Sequence, residues 1–228
     1  ISTEPLAIIS IHLQGVKDTG TPSLLVYNHL VQWLLGNLYH IDINFNLDSA
    51  KIFFLYLLQI FRCKCFLVFL ITYSDPESGC LQVGPNNSAS ATVDEASNLY
   101  MFILLSDFLI SFWVLSFDDT MLSFIACGSV INLSESRNTV KEFASSYGFY
   151  SLFDKILAFS QSDFQPAFTH KFFMDLALNY FVYGWKGLSQ FLQEHQALGA
   201  HIDIIEFQAQ RIFTYTWTHP GAWAMGHS

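Results

Sequence analysis

The chain is short of charged residues, and above all of positive charge. Lysine and arginine together number 10 in 228 residues, and charged residues make up 13% of the chain, whereas soluble domains carry about 25%. The 19 acidic residues give a formal net charge of −9. A function that depends on neutralising nucleic-acid phosphates is therefore excluded.

Cysteine is also scarce, with Cys63, Cys65, Cys80 and Cys127 as its only members. Four cysteines at these spacings do not build the framework of a disulfide-rich domain. Cys63 and Cys65 form a C-x-C pair, but the sequence has no second pair of the kind that a zinc site needs. We therefore expect ordinary buried or free thiols.

Uninterrupted apolar segments of membrane-spanning length are missing, although 52% of the residues are hydrophobic and 23 are phenylalanine. Residues 52–73 come near that length but contain Arg62 and Lys64, and a cation in a membrane span costs about 2.5–3.5 kcal/mol. Residues 99–117 contain Asp107. Both segments favour a buried core, so we expect a soluble protein without a signal peptide, and membrane association is the less favoured alternative.

The most regular pattern in the chain lies at residues 41–48. Polar and apolar residues alternate there, which predicts a strand with Asp42, Asn44, Asn46 and Asp48 on one face. Oxygen-bearing side chains on a buried strand are costly unless water, a hydrogen-bond network or a hard cation uses them. This strand is therefore the first place to look for a site.

Strands and helices are predicted to alternate along the chain. The first strand, at residues 6–14, precedes a helix that begins with Thr21 as its N-cap and Pro22 at its first position, and ends at Gly36. Further strands are predicted at residues 66–73, 112–117, 129–133 and 212–218. Further helices are predicted at residues 92–109, 119–126, 136–146, 171–183 and 188–198.

This alternation predicts an α/β protein with a parallel sheet and helical crossovers. At this length the favoured architecture is a (β/α)8 TIM-barrel-like parallel barrel, complete or lacking its last strand. A doubly wound α/β sheet is the alternative, but neither a G-x-G-x-x-G turn nor a Walker loop is present to support it. No change of composition marks a boundary, so residues 1–228 are predicted to form a single domain.

Several segments, in order, resemble the glycerophosphodiester phosphodiesterase family, which folds as a TIM barrel. His12 and Gly15 lie near the end of the first strand, where the family has His-Arg-Gly, and residues 41–44 stand where it has Glu-x-Asp. Residues 114–122 resemble its Ser-Phe-Asp strand, and residues 215–220 resemble its Trp-Thr element. The order and spacing agree over most of the chain.

The resemblance implies a set of site residues and a cofactor. His12 would be a catalytic acid or base, Asp42 and Asn44 would hold Mg²⁺ or Ca²⁺, and Trp217 would contact a small-molecule phosphodiester substrate. Each residue also has a structural alternative, since His12, Asp42 and Asn44 fit a polar network on strands and Trp217 fits a core position. Asp75 is a secondary metal candidate, together with Glu77, Asp118 and Asp119, of which the last two also suit helix capping.

The family's remaining catalytic groups are replaced here. Leu13 stands in place of the arginine expected to bind phosphate, and Leu57 and Leu58 stand where the second histidine belongs. Hydrolysis by this route needs two proton carriers and positive charge on the reacting phosphate. The favoured function is therefore a non-catalytic barrel, either a pseudoenzyme or an engineered scaffold. The alternative is a metal-dependent phosphodiesterase with an altered site, and the oligomeric state stays open.

Overall fold

The fold was obtained as a computed structural model that describes residues 4–13, 22–45, 63–75, 77–82, 90–91, 119–127, 130–145, 153–160, 166–185, 187–195, 198, 202–208, 211–216 and 225–227. Its strands are β1 Leu6–Leu13, β2 Leu38–Phe45, β3 Cys65–Tyr73, β4 Leu81–Gln82, β5 Ser90–Ala91, β6 Asp119–Cys127, β7 Lys155–Phe159, β8 Ile204–Gln208, β9 Arg211–Thr216 and β10 Met225–His227. Its α-helices are α1 Pro22–Leu30, α2 Ser134–Ser145, α3 His170–Ala177 and α4 Leu188–Gln193. A 3-10 turn, Pro166–Thr169, precedes α3, and a π-helical turn, Leu178–Val182, follows it.

Eight of the strands form one open sheet in the order β10-β9-β8-β7-β6-β3-β1-β2. The five strands from β2 to β7 in this order are parallel, and β8, β9 and β10 continue the sheet antiparallel. The short strands β4 and β5 form a separate hairpin. The protein is therefore an α/β protein with a mixed sheet whose centre is parallel.

The prediction of a TIM barrel is wrong. Closing a barrel requires the first and last strands to pair, whereas β2 and β10 form the two ends of this sheet among the described residues. Three successive antiparallel strands after β7 also break the strict βα repeat that a barrel needs. The open sheet is consistent with the doubly wound alternative.

Four of the predicted strands are confirmed. The expected strands at residues 6–14, 41–48, 66–73 and 212–218 correspond to β1, β2, β3 and β9. The helix predicted to end at Gly36 is α1 followed by turns, and Gly36 has a φ of 78° that suits a glycine after a helix. The predicted helix at 92–109 and strand at 112–117 lie outside the described residues.

Two elements were assigned wrongly, and the strands β4, β5, β7, β8 and β10 were not predicted. Residues 119–126, expected to be a helix, form β6. This strand pairs with β3 on one side and with β7 on the other, and its apolar side chains are buried on both faces of the sheet. The strand expected at 129–133 is a turn at Val130 to Leu133 that leads into α2. Strand β8 was not predicted, because Glu206 interrupts its apolar sequence.

A core of aromatic side chains holds α3 and α4 against one face of the sheet. Phe173 is fully buried, and its ring centroid lies 5.0 Å from that of Phe69 on β3 and 5.1 Å from that of Phe172. Phe159 on β7 contacts both α3 rings edge to face. Such edge-to-face pairs add about 0.5–1.5 kcal/mol beyond the burial of their area.

The helices of the described residues do not include one long and apolar enough to cross a membrane.

One buried histidine makes the packing of α3 against α4 sensitive to pH. The ring of His195 lies 4.4 Å from Phe191 and 5.7 Å from Phe172 between centroids. Its Nε2 is 3.5 Å from Asp175 Oδ2, and Asp175 also contacts Lys171. Burial lowers the pKa of His195, and the Asp175 charge, which raises it, compensates only in part.

This lowered pKa predicts a loss of stability in mild acid. The unfolded chain takes up the His195 proton near the ordinary pKa of 6.5, and the folded chain takes it up only at lower pH. The stabilisation is therefore complete above pH 6.5 and declines as the pH falls below it. Urea unfolding at pH 7.5 and 5.5 should show a larger loss for the wild type than for His195→Gln. Equal losses in both proteins would contradict this prediction.

Candidate functional site

The carboxyl ends of β1, β2 and β3 meet at one edge of the sheet. From β1 the chain passes to β2 on one side and then returns to β3 on the other, as the order β2-β1-β3 requires. In open α/β sheets, ligands bind outside the carboxyl ends of the strands at such a reversal of strand order. The topology therefore directs attention to the last residues of β1 and to the residues beside them.

His12 and Asp42 lie together at this edge. His12, near the end of β1, has a side chain that is 7% exposed, while the Asp42 side chain on β2 is 42% exposed. His12 Nε2 lies 2.9 Å from Asp42 Oδ1, but the contact lacks the alignment of a hydrogen bond. His12 Nδ1 has no hydrogen-bond partner among the described residues. The pair thus joins a buried imidazole to a carboxylate that reaches solvent.

Ser10 extends this polar cluster into the sheet. It pairs in register with Asp42, and its side chain lies two positions before His12, on the same face of β1. Ser10 is fully buried, and its Oγ has no hydrogen-bond partner among the described residues. Buried hydroxyls are nearly always hydrogen-bonded, so this cluster contains polar groups that the described side chains do not satisfy.

The predicted metal ligands Asp42 and Asn44 are brought together with His12, since Asn44 pairs with His12 in register. Two oxygen-bearing residues are few for Mg²⁺ or Ca²⁺, which take six or more oxygen ligands. Within the described ranges, no group of three or more His, Cys, Asp or Glu residues could hold a metal ion. The Mg²⁺ or Ca²⁺ site stays a prediction.

The secondary metal candidates are not gathered at this cluster. Asp75 Oδ1 accepts hydrogen bonds from the backbone N–H groups of Glu77 and Ser78 at 2.9 and 2.7 Å, and these bonds, with that of the Ser78 hydroxyl, lower its pKa. Asp75 therefore organises the loop after β3. Asp119 begins β6 and so lies at the opposite edge of the sheet, contrary to expectation. Asp118 and Trp217 lie outside the described residues.

Cys63, Cys65 and Cys80 form no disulfide bond among the described residues. Burial, with a smaller contribution from Cys65, raises the pKa of the Cys63 thiol to about 12. A thiol with so high a pKa stays protonated at neutral pH and is a poor metal ligand and nucleophile.

Two polar features were not identified from sequence. The period of two places Ser10 on the same face of the first strand as His12, but it does not show that the Ser10 hydroxyl is buried without a hydrogen-bond partner among the described residues. The second feature is the buried ion pair between Lys155 on β7 and Glu206 on β8, which joins distant parts of the chain. Glu206 also accepts a hydrogen bond of 2.8 Å from the Tyr215 hydroxyl. No local sequence signal predicts it.

Comparison with known proteins gives little beyond this geometry. No protein-family model matches the chain, and no curated protein matches it. Among solved structures, the Drosophila initiator caspase Dronc is similar with a TM-score of 0.48 and 12% sequence identity. The match covers 92% of this chain and 83% of the caspase chain.

The assignment to the glycerophosphodiester phosphodiesterase family is therefore wrong. The sheet is open where that family has a barrel, and no family model supports the resemblance. The functions predicted from that barrel, namely an active phosphodiesterase, a pseudoenzyme or an engineered scaffold, are therefore not supported. The geometry of the described residues is what supports a function for this chain.

Proposed function

We propose that the chain binds a small polar ligand at the carboxyl edge of β1, β2 and β3, and that His12 exchanges a proton with it. The observation that carries the proposal is a pair of buried atoms, Ser10 Oγ and His12 Nδ1, without hydrogen-bond partners among the described residues. Such groups cost about 1–3 kcal/mol each when they stay unpaired. A bound group that both donates and accepts, such as a hydroxyl or an amide, removes this cost.

The position of the cluster supports a binding role. It lies where the strand order reverses, which is the usual ligand site of doubly wound α/β sheets, the finer architecture that we propose for this open sheet. Asp42, at 42% side-chain exposure, connects the buried His12 to solvent. The proposed approach of a ligand to the imidazole therefore runs along this carboxylate.

The chemistry of the pair suits a general base. When His12 removes a proton from a bound water, the adjacent Asp42 carboxylate stabilises the imidazolium that forms. The resulting hydroxide can attack an ester carbonyl, and the imidazolium then gives its proton to the leaving alkoxide, so the reaction class that fits is hydrolysis of a small ester. Positioned general bases of this kind contribute about 10²–10⁴-fold to the rate.

The binding part is tested with a library of small hydroxyl- and amide-containing fragments and ligand-observed NMR. Fragments that bind the wild type should lose at least about tenfold in affinity with Ser10→Ala and with His12→Gln, because each variant removes one of the two unpaired groups. His170→Gln, at the start of α3, is the control and should bind as the wild type does. Unchanged binding in both site variants, or no binding to the wild type, contradicts the proposal.

The proton-transfer part is tested separately with p-nitrophenyl acetate. His12→Gln should lower kcat/KM about 10²–10⁴-fold, and Asp42→Asn should lower it less because it keeps the imidazole. Fragment binding without a His12-dependent rate would retain the binding site and refute the general base. Repeating both measurements with EDTA, Mg²⁺ and Ca²⁺ tests the predicted cation, whose effect Asp42→Asn should remove.

A further inference from the structure

The outward face of α1 carries apolar and amide side chains and no charge. The helix buries Val26 and Leu30 in the core, while Leu24 and Val31 are 49% and 40% exposed. No lysine, arginine, aspartate or glutamate occurs at residues 22–37. A surface helix normally presents charged residues to solvent, and a helix that is apolar on all sides is normally covered. We therefore expect a partner to cover this face.

Four exposed positions form a regular stripe along this face. They are Leu24, Asn28, Val31 and Leu35, which are spaced by four, three and four residues. Helical hydrogen bonding extends along the stripe, because the N–H groups of Val31 and Leu34 donate to carbonyl oxygens four residues earlier at 3.0 and 3.1 Å. Leu35 follows directly and is 78% exposed. Alternating steps of three and four residues are the spacing of the a and d positions through which two helices pack.

Asn28 lies within the stripe and indicates what covers it. An amide that is covered by an apolar partner loses its hydrogen bonds to water without replacement. An amide that faces a second amide can both donate and accept, and a single asparagine at an a position fixes the register and the number of helices in coiled coils. A second copy of this chain supplies such an amide at the matching position.

The charge of the chain favours the same contact. With a formal net charge of −9, two copies repel one another over most of their surfaces. The face of α1 adds nothing to this repulsion, because residues 22–37 contain no charged side chain. A lipid surface suits this face less well, since helices that lie on membranes normally carry lysine and arginine on their polar side.

We propose that two copies of the chain associate through α1, with the two helices parallel and side by side about a two-fold axis. Leu24, Asn28 and Val31 then each lie opposite their own counterpart, and the two Asn28 amides bond to each other. An antiparallel pair centred on the stripe would instead place Asn28 opposite Val31 and leave its amide unsatisfied. The axis uses the same face of both copies, so the assembly closes as a dimer.

The size of the stripe predicts a weak dimer. A stable interface uses about 20–30 residues from each partner, and the outward face of one short helix offers far fewer. Association is therefore expected at micromolar to millimolar concentrations of the chain.

The dimer is tested by sedimentation velocity of the full chain from about 1 μM to 1 mM in about 0.15 M salt. Asn28→Asp keeps the size of the side chain and places two carboxylates opposite each other, so it should raise the dimer dissociation constant at least about tenfold. Asn138→Asp is the matched control, because it makes the same change at an exposed position of α2. It should leave the constant within about threefold of the wild type. Circular dichroism establishes that both variants are folded.

A mixture of two variants tests the parallel register. Asn28→Asp and Asn28→Lys should each be mainly monomeric, whereas their equimolar mixture should associate within about tenfold of the wild type, because opposite charges then face each other. A wild-type chain that stays monomeric at about 1 mM overturns the proposal, including one that instead sediments with phosphatidylcholine vesicles. So does a dimer that Asn28→Asp leaves unchanged, or a mixture that associates no better than either variant alone.

Discussion

Replacing Glu206 by leucine should lower the free energy of unfolding by about 3–5 kcal/mol. Glu206 is 3% exposed and forms an ion pair with Lys155, which is 7% exposed. It also accepts the hydrogen bond of the buried Tyr215 hydroxyl. Removing the carboxylate leaves a cation and a hydroxyl buried without their partner, and burial already raises the pKa of Tyr215.

Most of this loss of stability should come from the buried groups that are left without a partner. The net attraction between Lys155 and Glu206 should contribute little. Replacing the whole network at once, with Lys155→Met, Glu206→Leu and Tyr215→Phe, leaves no buried polar group behind. We expect this triple variant to lie within about 2 kcal/mol of the wild type, because apolar side chains of similar volume replace buried ion pairs at little cost. Urea unfolding followed by tryptophan fluorescence measures both. A triple variant no more stable than Glu206→Leu would contradict this account.

The second large effect is expected at Phe173. Phe173→Ala should destabilise the protein by about 3–5 kcal/mol, because the side chain is fully buried and contacts Phe69, Phe159 and Phe172. The substitution would leave the backbone of α3 in place and would open a cavity between this helix and strands β3 and β7. Chemical denaturation should show a lower midpoint with an unchanged slope.

Phe168 provides a matched control for this substitution. It lies five positions earlier, in the 3-10 turn before α3, and is 53% exposed. Phe168→Ala should therefore change the unfolding free energy by less than about 0.5 kcal/mol. Similar losses at both positions would mean that helix propensity, rather than the aromatic core, governs the stability of this region.

Local patterns predicted the strands whose environment is uniform. β3 has eight consecutive buried residues, and β2 alternates, so both could be recognised from the period of their apolar residues. β6 failed because Asp118 and Asp119 suit a helix N-cap, and its burial depends on pairing with β3 and β7, which no local window contains. Tertiary packing determined the outcome there.

The closure of the sheet could not be predicted from the same patterns. Barrels and open sheets share alternating strands and helices, and they differ in which strands become neighbours. Here that difference arises from β8, β9 and β10, which turn the end of the sheet antiparallel. Because Glu206 interrupts the apolar sequence of β8, this strand was not predicted. The antiparallel end of the sheet, which argues against a barrel, was therefore not recognised.

The candidate site was predictable in part. The period of two placed His12 and Asp42 on polar positions of strands, but their proximity depends on β1 and β2 being parallel neighbours in register. The unpaired state of Ser10 Oγ and His12 Nδ1 depends on every side chain packed around them. Such information is three-dimensional and has no counterpart in residue spacing.

The order of the strands also has a consequence for how the chain folds. Gln208 and Arg211 pair across the short β8–β9 hairpin, so this unit closes locally and can form in microseconds. The central pairing of β1 with β3 joins position 6 to position 65, and that of β3 with β6 joins position 65 to position 119. These long loop closures carry a high contact order, which makes the parallel centre the slow part of folding. Until it forms, the apolar β3 stays exposed to aggregation.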